Sequence, residues 1–249
     1  MSPIAKSSIV LAFTFCAAVC GALLRSVLPD HHLSDQSKDV IKLATGLVGS
    51  MVALILGLLV WSSKSFFDTQ SAEVTKLSAE AVLVDRLLAH YGPDANGARD
   101  RLRAIVADFL DQSWSRDREA AALDPKFEHE DIYDVVQQLS PQNDAQRSMR
   151  AGAISTLTDL GQTRWLIYEQ TVAGLPRPLL AVMIFWLCLL FLGFGLFAPR
   201  NATVAVSLFL SALAVSCAVL MTFEMYSPYQ GLIQVSKEPL RAALAHLGK

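Results

Sequence analysis

Nineteen consecutive residues without a charge constrain this chain more than any other feature. They are residues 43–61 and read LATGLVGSMVALILGLLVW. At about 1.5 Å per residue, a helix of this length spans the roughly 30 Å hydrocarbon core of a bilayer. Backbone groups in that core must be paired within the segment, so a helix is predicted. Lys42 and Lys64 flank the run, and Trp61 lies at the depth of an interfacial aromatic.

Two rows of residues lie side by side on this predicted helix. The first row has small side chains spaced four residues apart: Gly49, Ala53 and Gly57. Such a row lets a neighbouring helix approach closely. The second row is turned by about 100° on a 3.6-residue helix and comprises Ser50, Leu54 and Leu58. The sequence therefore predicts a packing face and, beside it, a second face with a separate use.

Three further apolar runs have the length of membrane helices, namely residues 7–24, 179–197 and 202–223. Hydrophobic residues make up 53% of the chain, above the roughly 45–50% of soluble domains. The first run is also compatible with a secretory signal peptide, because Lys6 precedes it and small residues follow at 17–22. Its length and the three later runs favour a membrane helix instead. In the last run, Ser207, Ser211, Ala214 and Ala218 form a stripe interpreted as helix packing.

The one large polar region, residues 62–178, is predicted to be helical. Residues 62–91 contain no glycine or proline, so the second membrane helix is expected to continue out of the bilayer. Further helices are predicted at about 98–114, 127–139 and 140–173, the last with Ser140 as N-cap and Pro141 in its first turn. The predicted divisions are 1–61, 62–178, 179–223 and a 224–249 tail with a short final helix. The fold class is thus all-α, with four transmembrane helices and a large helical insert between the second and third.

Four spans place both termini and residues 62–178 on one side of the membrane. The basic residues near the span ends on that side are Lys6, Lys64, Lys76, Arg164, Arg177 and Lys237. The opposite side carries Arg25, Lys38, Lys42 and Arg200, beside three aspartates. Since cytoplasmic segments carry the excess of lysine and arginine, residues 62–178 and both termini are predicted to be cytoplasmic.

No signature of catalysis or metal binding stands out, so neither enzyme activity nor a metal or cofactor is predicted. The four cysteines lie in apolar runs and are interpreted as small hydrophobes. Two polar clusters, His31-His32 with Asp35 and residues 128–131, fit a metal site less well than a solvated surface. A net charge of −2 offers no basic field for nucleic acid. The spans lack the central charges of active carriers, which a passive pore does not need.

Several motifs accompany this order of two spans, a helical insert, two spans and a short tail. They are Leu56-Gly57-Leu58, Glu80-Ala81, Asp85-Arg86, LGQTRW at 160–165, FGLFAPRNAT at 194–203 and PYQGLI at 228–233. On these residues the chain resembles the bestrophin-like family of bacterial membrane proteins over nearly its whole length. The resemblance implies a multi-pass protein of the bacterial inner membrane.

A more distant resemblance links the chain to the true bestrophins, which are pentameric anion channels with a pore lined by the second helix. Their apolar neck has residues four apart, the last just after a Leu-Gly pair. Carried over by Leu56-Gly57, the implied pore-lining positions are Leu58, Leu54 and Ser50, of which Ser50 is polar where the neck is apolar. Calcium-responsive bestrophins have an acidic cluster after the fourth span. Here YSPY at 226–229 follows, so calcium gating is not expected.

Two functions from different classes remain open at this point. The leading hypothesis is an oligomeric anion channel, which rests on the resemblance, the uncharged spans and the two-faced second helix. Its expected partners are the lipid bilayer, further copies of the chain (five by resemblance) and small anions such as chloride. The alternative is a non-conducting, membrane-anchored scaffold that binds a partner through its cytoplasmic helical domain, with Ser50, Leu54 and Leu58 facing lipid or another helix.

Overall fold

The computed structural model of the protein describes residues 2–29, 35–114, 128–173, 177–199 and 201–249. Within these ranges the chain is helical and contains no strand, which confirms the all-α prediction. A 3₁₀ turn at Pro93–Ala95 joins the second helix to the third. The helices are α1 (Pro3–Val27), α2 (Asp35–Tyr91), α3 (Asn96–Ser113), α4 (Glu128–Gln137), α5 (Asp144–Ala173), α6 (Arg177–Phe197), α7 (Ala202–Met225) and α8 (Glu238–His246).

Four of these helices are long and apolar enough to cross a membrane: α1, α2, α6 and α7. Each contains one of the predicted apolar runs and extends it by a few residues or more. Local capping explains two of the starts. The Ser2 hydroxyl accepts a hydrogen bond from the Ala5 N–H at the start of α1, and the Asn201 side chain accepts one from the Val204 N–H at the start of α7. The prediction of four spans is therefore confirmed.

Helix α2 is one continuous helix of 57 residues. It runs on through residues 62–91 as predicted, and it ends at Gly92, whose φ of 118° favours glycine. Its start lies before the predicted apolar run, because residues 35–42 are helical as well. Asp39 and Lys42 form an ion pair three residues apart at 3.7 Å on this added segment. Polar residues are compatible with a helix that has left the hydrocarbon core, so polarity alone did not mark its beginning.

The chain divides into two compact units. The first, here called the membrane unit, comprises Met1–Phe66 and Leu175–Ser227. The second, here called the polar unit, comprises Phe67–Gly174 and Pro228–Lys249. Most of the predicted 224–249 tail, namely Pro228–Lys249, thus belongs to the polar unit. Leu240 and Leu247 are buried in its core.

Each unit has its own apolar core. The core of the membrane unit includes Val10, Val52, Leu59, Met183, Leu187, Phe191 and Val219. The core of the polar unit includes Val74, Leu77, Leu88, Leu102, Val136, Leu157, Ile167 and Leu240. In both units the buried residues of each helix recur every three or four positions, as helical packing requires.

The start of α5 corrects a second predicted boundary. Ser140 and Pro141 precede the helix, which begins at Asp144. The Asn143 side chain accepts a hydrogen bond from the Gln146 N–H at 2.8 Å, and the Gln146 side chain accepts one from the Gln142 N–H at 2.7 Å. These two bonds satisfy two N–H groups at the helix start, so they place the boundary at Asn143 rather than at Ser140.

The two polar clusters considered as metal sites cannot be placed. His31 and His32 lie outside the described residues, as do residues 115–125 between two of the predicted helices, and the side chains of Asp35 and of residues 128–131. Among the side chains that are described, no group of three or more histidine, cysteine, aspartate or glutamate residues is arranged to hold a metal ion.

Candidate functional site

Helix α2 packs against the rest of the membrane unit along one face only. Val52 and Leu59 lie on this face, with 5% and 1% of their surface exposed. They share a core with Leu187 and Leu190 of α6. In the apolar part of α2 only 11% of the residues are buried, compared with 33% in α6. Within one copy of the chain, α2 is therefore the least covered of the four spans.

The predicted pore-lining residues lie on the far side of α2. Leu54 and Leu58 are 74% and 55% exposed, and Ser50 is exposed as well. At 100° per residue, Leu54 is turned by 140° from Leu59 and by 200° from Val52, so it points away from the packed face. The Ser50 hydroxyl donates a hydrogen bond to the Gly46 carbonyl at 3.1 Å. The structure thus brings all three residues together on one uncovered face.

The predicted packing row behaves differently along its length. A methyl group added at Gly49 would lie 3.9 Å from the Leu190 side chain, an ordinary contact with α6. Ala53 is exposed, and a methyl group at Gly57 would meet no described atom within 4 Å. Four residues advance an α-helix by 400°, so each step turns the row by about 40° away from α6. That Ala53 and Gly57 contact a second copy of the chain stays a prediction.

Two helices of the membrane unit come into backbone contact where the sequence predicted no packing row. Helix α1 crosses α6 at Gly21 and Gly195. A Cβ atom at Gly21 would overlap the Leu192 carbonyl, and one at Gly195 would overlap the Ala18 carbonyl. The backbones touch because neither glycine has a side chain. The small residues at 17–22, which also fitted a signal peptide, serve helix packing in this structure.

Three of the four residues in the small-residue stripe of α7 are left uncovered by the described helices of the same copy. Ser207, Ser211 and Ala214 are exposed, and both serine hydroxyls donate to carbonyls of their own helix at 2.9 Å. The buried face of α7 carries Ala212, Ser216, Val219 and Phe223. The Ser216 hydroxyl donates to the Ser7 carbonyl at 2.7 Å and so joins α7 to α1.

A groove of about 520 Å³ lies between α2, α6 and α7 in the membrane unit. Three glycines, Gly46, Gly49 and Gly193, line it together with Phe194. Lys42 lies at its polar end, where its partner Asp39 is also exposed. The groove flanks the uncovered face of α2 and leaves that helix without close backbone contact there.

The charged family motif on the second half of α2 has a structural role in the polar unit. Asp85 is 2% exposed and accepts two hydrogen bonds from Arg99 of α3, at 2.8 and 3.2 Å. This bidentate pair raises the pKa of the Arg99 guanidinium. The Asp85 carboxylate also accepts the Gly248 N–H at 3.3 Å, so one buried acid joins α2, α3 and the segment after α8.

Glu80 lies one and a half turns before Asp85 on the same helix. Burial raises the pKa of its carboxyl group, the nearby Lys76 ammonium opposes that shift and Asp159 adds to it. The Lys76 ammonium lies 3.7 Å from the Glu80 carboxylate. Protonation of Glu80 therefore favours the packed state of the polar unit.

Comparisons with known proteins identify the fold. The sequence profile described as a bestrophin-like domain matches residues 11–240. Among solved structures, three variants of a bacterial bestrophin homologue from Klebsiella pneumoniae are similar. The variant with a tryptophan-to-alanine substitution has a TM-score of 0.70 and 11% identity, over 99% of this chain and 97% of that chain.

The other two Klebsiella variants agree with this similarity. The isoleucine-to-threonine variant has a TM-score of 0.63 and 13% identity, and the leucine-to-threonine variant has a TM-score of 0.65 and 12% identity. Each alignment covers 97% of both chains. At such identities the similarity concerns the fold alone. No curated protein matches the sequence.

Proposed function

The chain belongs to the bestrophin-like family of membrane proteins, and from this premise we propose that it is an oligomeric channel for small anions. In the proposed assembly α2 lines the conducting path, with Ser50, Leu54 and Leu58 facing the central axis. In the helix packing row, Gly49 lies beside α6 of its own copy, and Ala53 and Gly57 face the next copy. The number of copies, five, follows from the resemblance to true bestrophins.

One observation carries the proposal: the face of α2 with Leu54 and Leu58 lies opposite the face packed against the same copy. If several copies surround an axis with α2 innermost, each copy turns this uncovered face inward. The adjacent row of small residues then lies on a flank of α2, where a neighbouring helix can approach. One helix thereby supplies both surfaces that a ring of subunits needs.

The leucines would act as a resting barrier. A narrow apolar constriction holds water poorly, and an ion crosses only when the constriction widens or becomes more polar. Ser50 lies one turn before Leu54. In the structure its hydroxyl group donates a hydrogen bond to the Gly46 carbonyl. If the hydroxyl turns so that its hydrogen points toward the axis, it donates to a partly dehydrated anion instead.

Alanine at both Leu54 and Leu58 tests the proposal. The double variant removes the apolar side chains from the axis, so the constriction should hold water, and chloride flux into liposomes should rise well above that of the wild type. The packing row is untouched, so the protein should stay oligomeric. Leu189→Ala with Leu210→Ala is the matched control, because these leucines are also exposed but lie on α6 and α7. The control should leave flux unchanged.

The outcome of this experiment separates the two functions. A double variant that is folded and oligomeric, yet passes neither chloride nor sodium, would rule out the pore and favour the scaffold. Sodium flux without chloride flux would keep the pore and reject the preference for anions. Chloride flux that rises equally in the control would show that lost packing, rather than the α2 face, causes the leak.

The proposed location is the bacterial inner membrane, with both termini and residues 62–178 in the cytoplasm. The lysine and arginine bias near the span ends supports this orientation. Asp94 follows the end of α2 and is exposed. In a variant lacking Cys16, Cys20, Cys188 and Cys217, an Asp94→Cys substitution should resist a membrane-impermeant maleimide in intact cells. Labelling before lysis would reverse the orientation.

A further inference from the structure

Tyr226, directly after α7, contacts α2 in two ways. Its hydroxyl lies 3.0 Å from the Ser62 hydroxyl, within hydrogen-bond distance. Its ring stacks on Phe66 with a centroid distance of 5.0 Å and an angle of 24° between the planes. Next to it, the Ser63 hydroxyl lies 3.6 Å from the Met225 sulfur. The end of α7 therefore contacts two successive turns of α2 within the membrane unit.

The contacted residues continue the row that contains Leu54 and Leu58. Ser62 and Phe66 follow Leu58 at four-residue intervals, and each interval turns the row by about 40° around the helix. From Leu54 to Phe66 the row thus turns by about 120°. It is exposed at Leu54 and Leu58, and it is half-buried against Tyr226 at Ser62 and Phe66. Any rotation of α2 that turns Leu58 would also pull Ser62 and Phe66 off Tyr226.

Tyr226 is anchored to α7, and α7 is in turn joined to α1. Its N–H donates to the Thr222 carbonyl at 3.2 Å, which fixes it to the end of α7. Helix α7 is joined to α1 by the hydrogen bond between Ser216 and Ser7, and the Lys6 ammonium lies 5.3 Å from the centre of the Phe223 ring. By contrast, α2 is the least covered span. A fixed residue thus contacts a helix that is otherwise loosely held.

We propose that Tyr226 is a positioning residue of the channel, which fixes the rotation of α2 and thereby the direction of Leu54 and Leu58. The inference rests on the proposed function, because the direction of the leucines matters only if they surround a conducting path. The hydroxyl pair and the ring stack act on adjacent turns, so both must break before α2 can rotate. Loss of Tyr226 should release the leucines from the axis and raise resting flux.

Graded substitutions separate the two contacts. Tyr226→Phe removes the hydroxyl and keeps the stack, and chloride flux into liposomes should rise by about five-fold, the ratio that corresponds to one hydrogen bond of typical strength. Tyr226→Leu removes both contacts and should raise flux further. Phe209→Leu is the matched control, because it breaks an aromatic pair with Phe15 in the same unit, at 5.5 Å and 87°, without touching α2. The control should conduct as the wild type does.

A double-mutant cycle tests the contact independently of conduction. Ser62→Ala and Tyr226→Phe each remove one hydroxyl of the pair, so their effects on thermal unfolding should be less than additive when combined. Additive effects would overturn the inference, whatever the flux. Size-exclusion profiles show whether each variant is folded and oligomeric.

The Leu54→Ala and Leu58→Ala double variant serves as the reference for conduction. If the reference conducts and both Tyr226 variants, folded and oligomeric, conduct no more than the wild type, the positioning role is wrong while the channel stands. If the reference does not conduct either, the proposed function fails and the inference fails with it. Raised flux in both Tyr226 variants, with an unchanged Phe209→Leu control, supports the positioning role.

Discussion

Glycines in two regions of the membrane unit have opposite surroundings. At the crossing of α1 and α6, Gly21 and Gly195 face backbone atoms of the other helix, and there is no room for a Cβ atom. On α2, Gly57 faces open space. Both regions have small residues in an uncharged run, so their local sequences look alike. The difference shows that a row of small residues allows close packing, but it does not identify whether the partner helix lies in the same copy or in another one.

The largest expected effect is at the crossing of α1 and α6. Gly195→Ala places a Cβ atom onto the Ala18 carbonyl, so the two helices must separate. Overpacking typically costs about 1–3 kcal/mol, and a clash with backbone should reach or exceed the upper end. Thermal unfolding in detergent and the yield of folded protein measure the effect.

Gly193→Ala is the control for this substitution, two residues earlier on α6. Its Cβ atom would lie 3.4 Å from the Thr45 hydroxyl oxygen, which is ordinary contact. It should unfold close to the wild-type temperature. Equal loss of stability in both variants would mean that α6 tolerates no side chain at either glycine, and the distinction between the two regions would disappear.

A substitution on the uncovered part of α2 should reduce the stability of the fold less than Gly195→Ala does. Its main effect should be on the assembly of several copies. A Cβ atom at Gly57 would face open space, with no described atom of its own copy within 4 Å, so Gly57→Leu should keep the stability of the folded state to within about 0.5 kcal/mol. The proposed contact between copies would lose its close approach, so the yield of oligomer in mild detergent should fall. Met51→Leu, a change of similar volume on another exposed part of α2, should leave the oligomer intact. An unchanged oligomer profile for Gly57→Leu would show that the row faces lipid.

The smallest expected effect concerns Glu80, in the polar half of α2. Burial raises the pKa of its carboxyl group above the ordinary value of 4.5. The folded state therefore holds the proton more tightly than the unfolded chain does. The stability that the folded state gains from this tighter proton binding is fully present below the ordinary pKa, and it is lost as the pH rises through the raised pKa. Glu80→Gln keeps a neutral side chain at every pH, so it should stabilise the protein at neutral pH and weaken the pH dependence.

Thermal unfolding between pH 4 and pH 8 would measure this difference. Glu238→Gln is the control, because Glu238 is exposed and pairs with Arg241 three residues away in α8. Surface pairs contribute little to stability, so this variant should follow the wild type at each pH. A Glu80→Gln variant that is less stable than the wild type at neutral pH would mean that the Lys76 ion pair outweighs the cost of burial.

Much of the fold could be predicted because it depends on local properties. The length of an uncharged run decides whether a helix can span the bilayer, and the absence of glycine and proline over residues 62–91 allowed α2 to continue to Tyr91. The helix starts at Asp35 and Asp144 were predicted less accurately. Polar residues fit both a loop and a helix outside the membrane, and the start of α5 depends on which side chain accepts the first N–H groups.

For the candidate site, the helical repeat is enough to place Ser50, Leu54 and Leu58 on one row of α2, so this part could be predicted. The direction in which the row faces depends on tertiary packing. That direction is set by the packing of Val52 and Leu59 on α6, and by contacts such as the one between Ser62 and Tyr226, 164 residues apart. Helical spacing sets the angle between two side chains on one helix. The partner of each side chain depends on residues elsewhere in the chain, which no local pattern specifies.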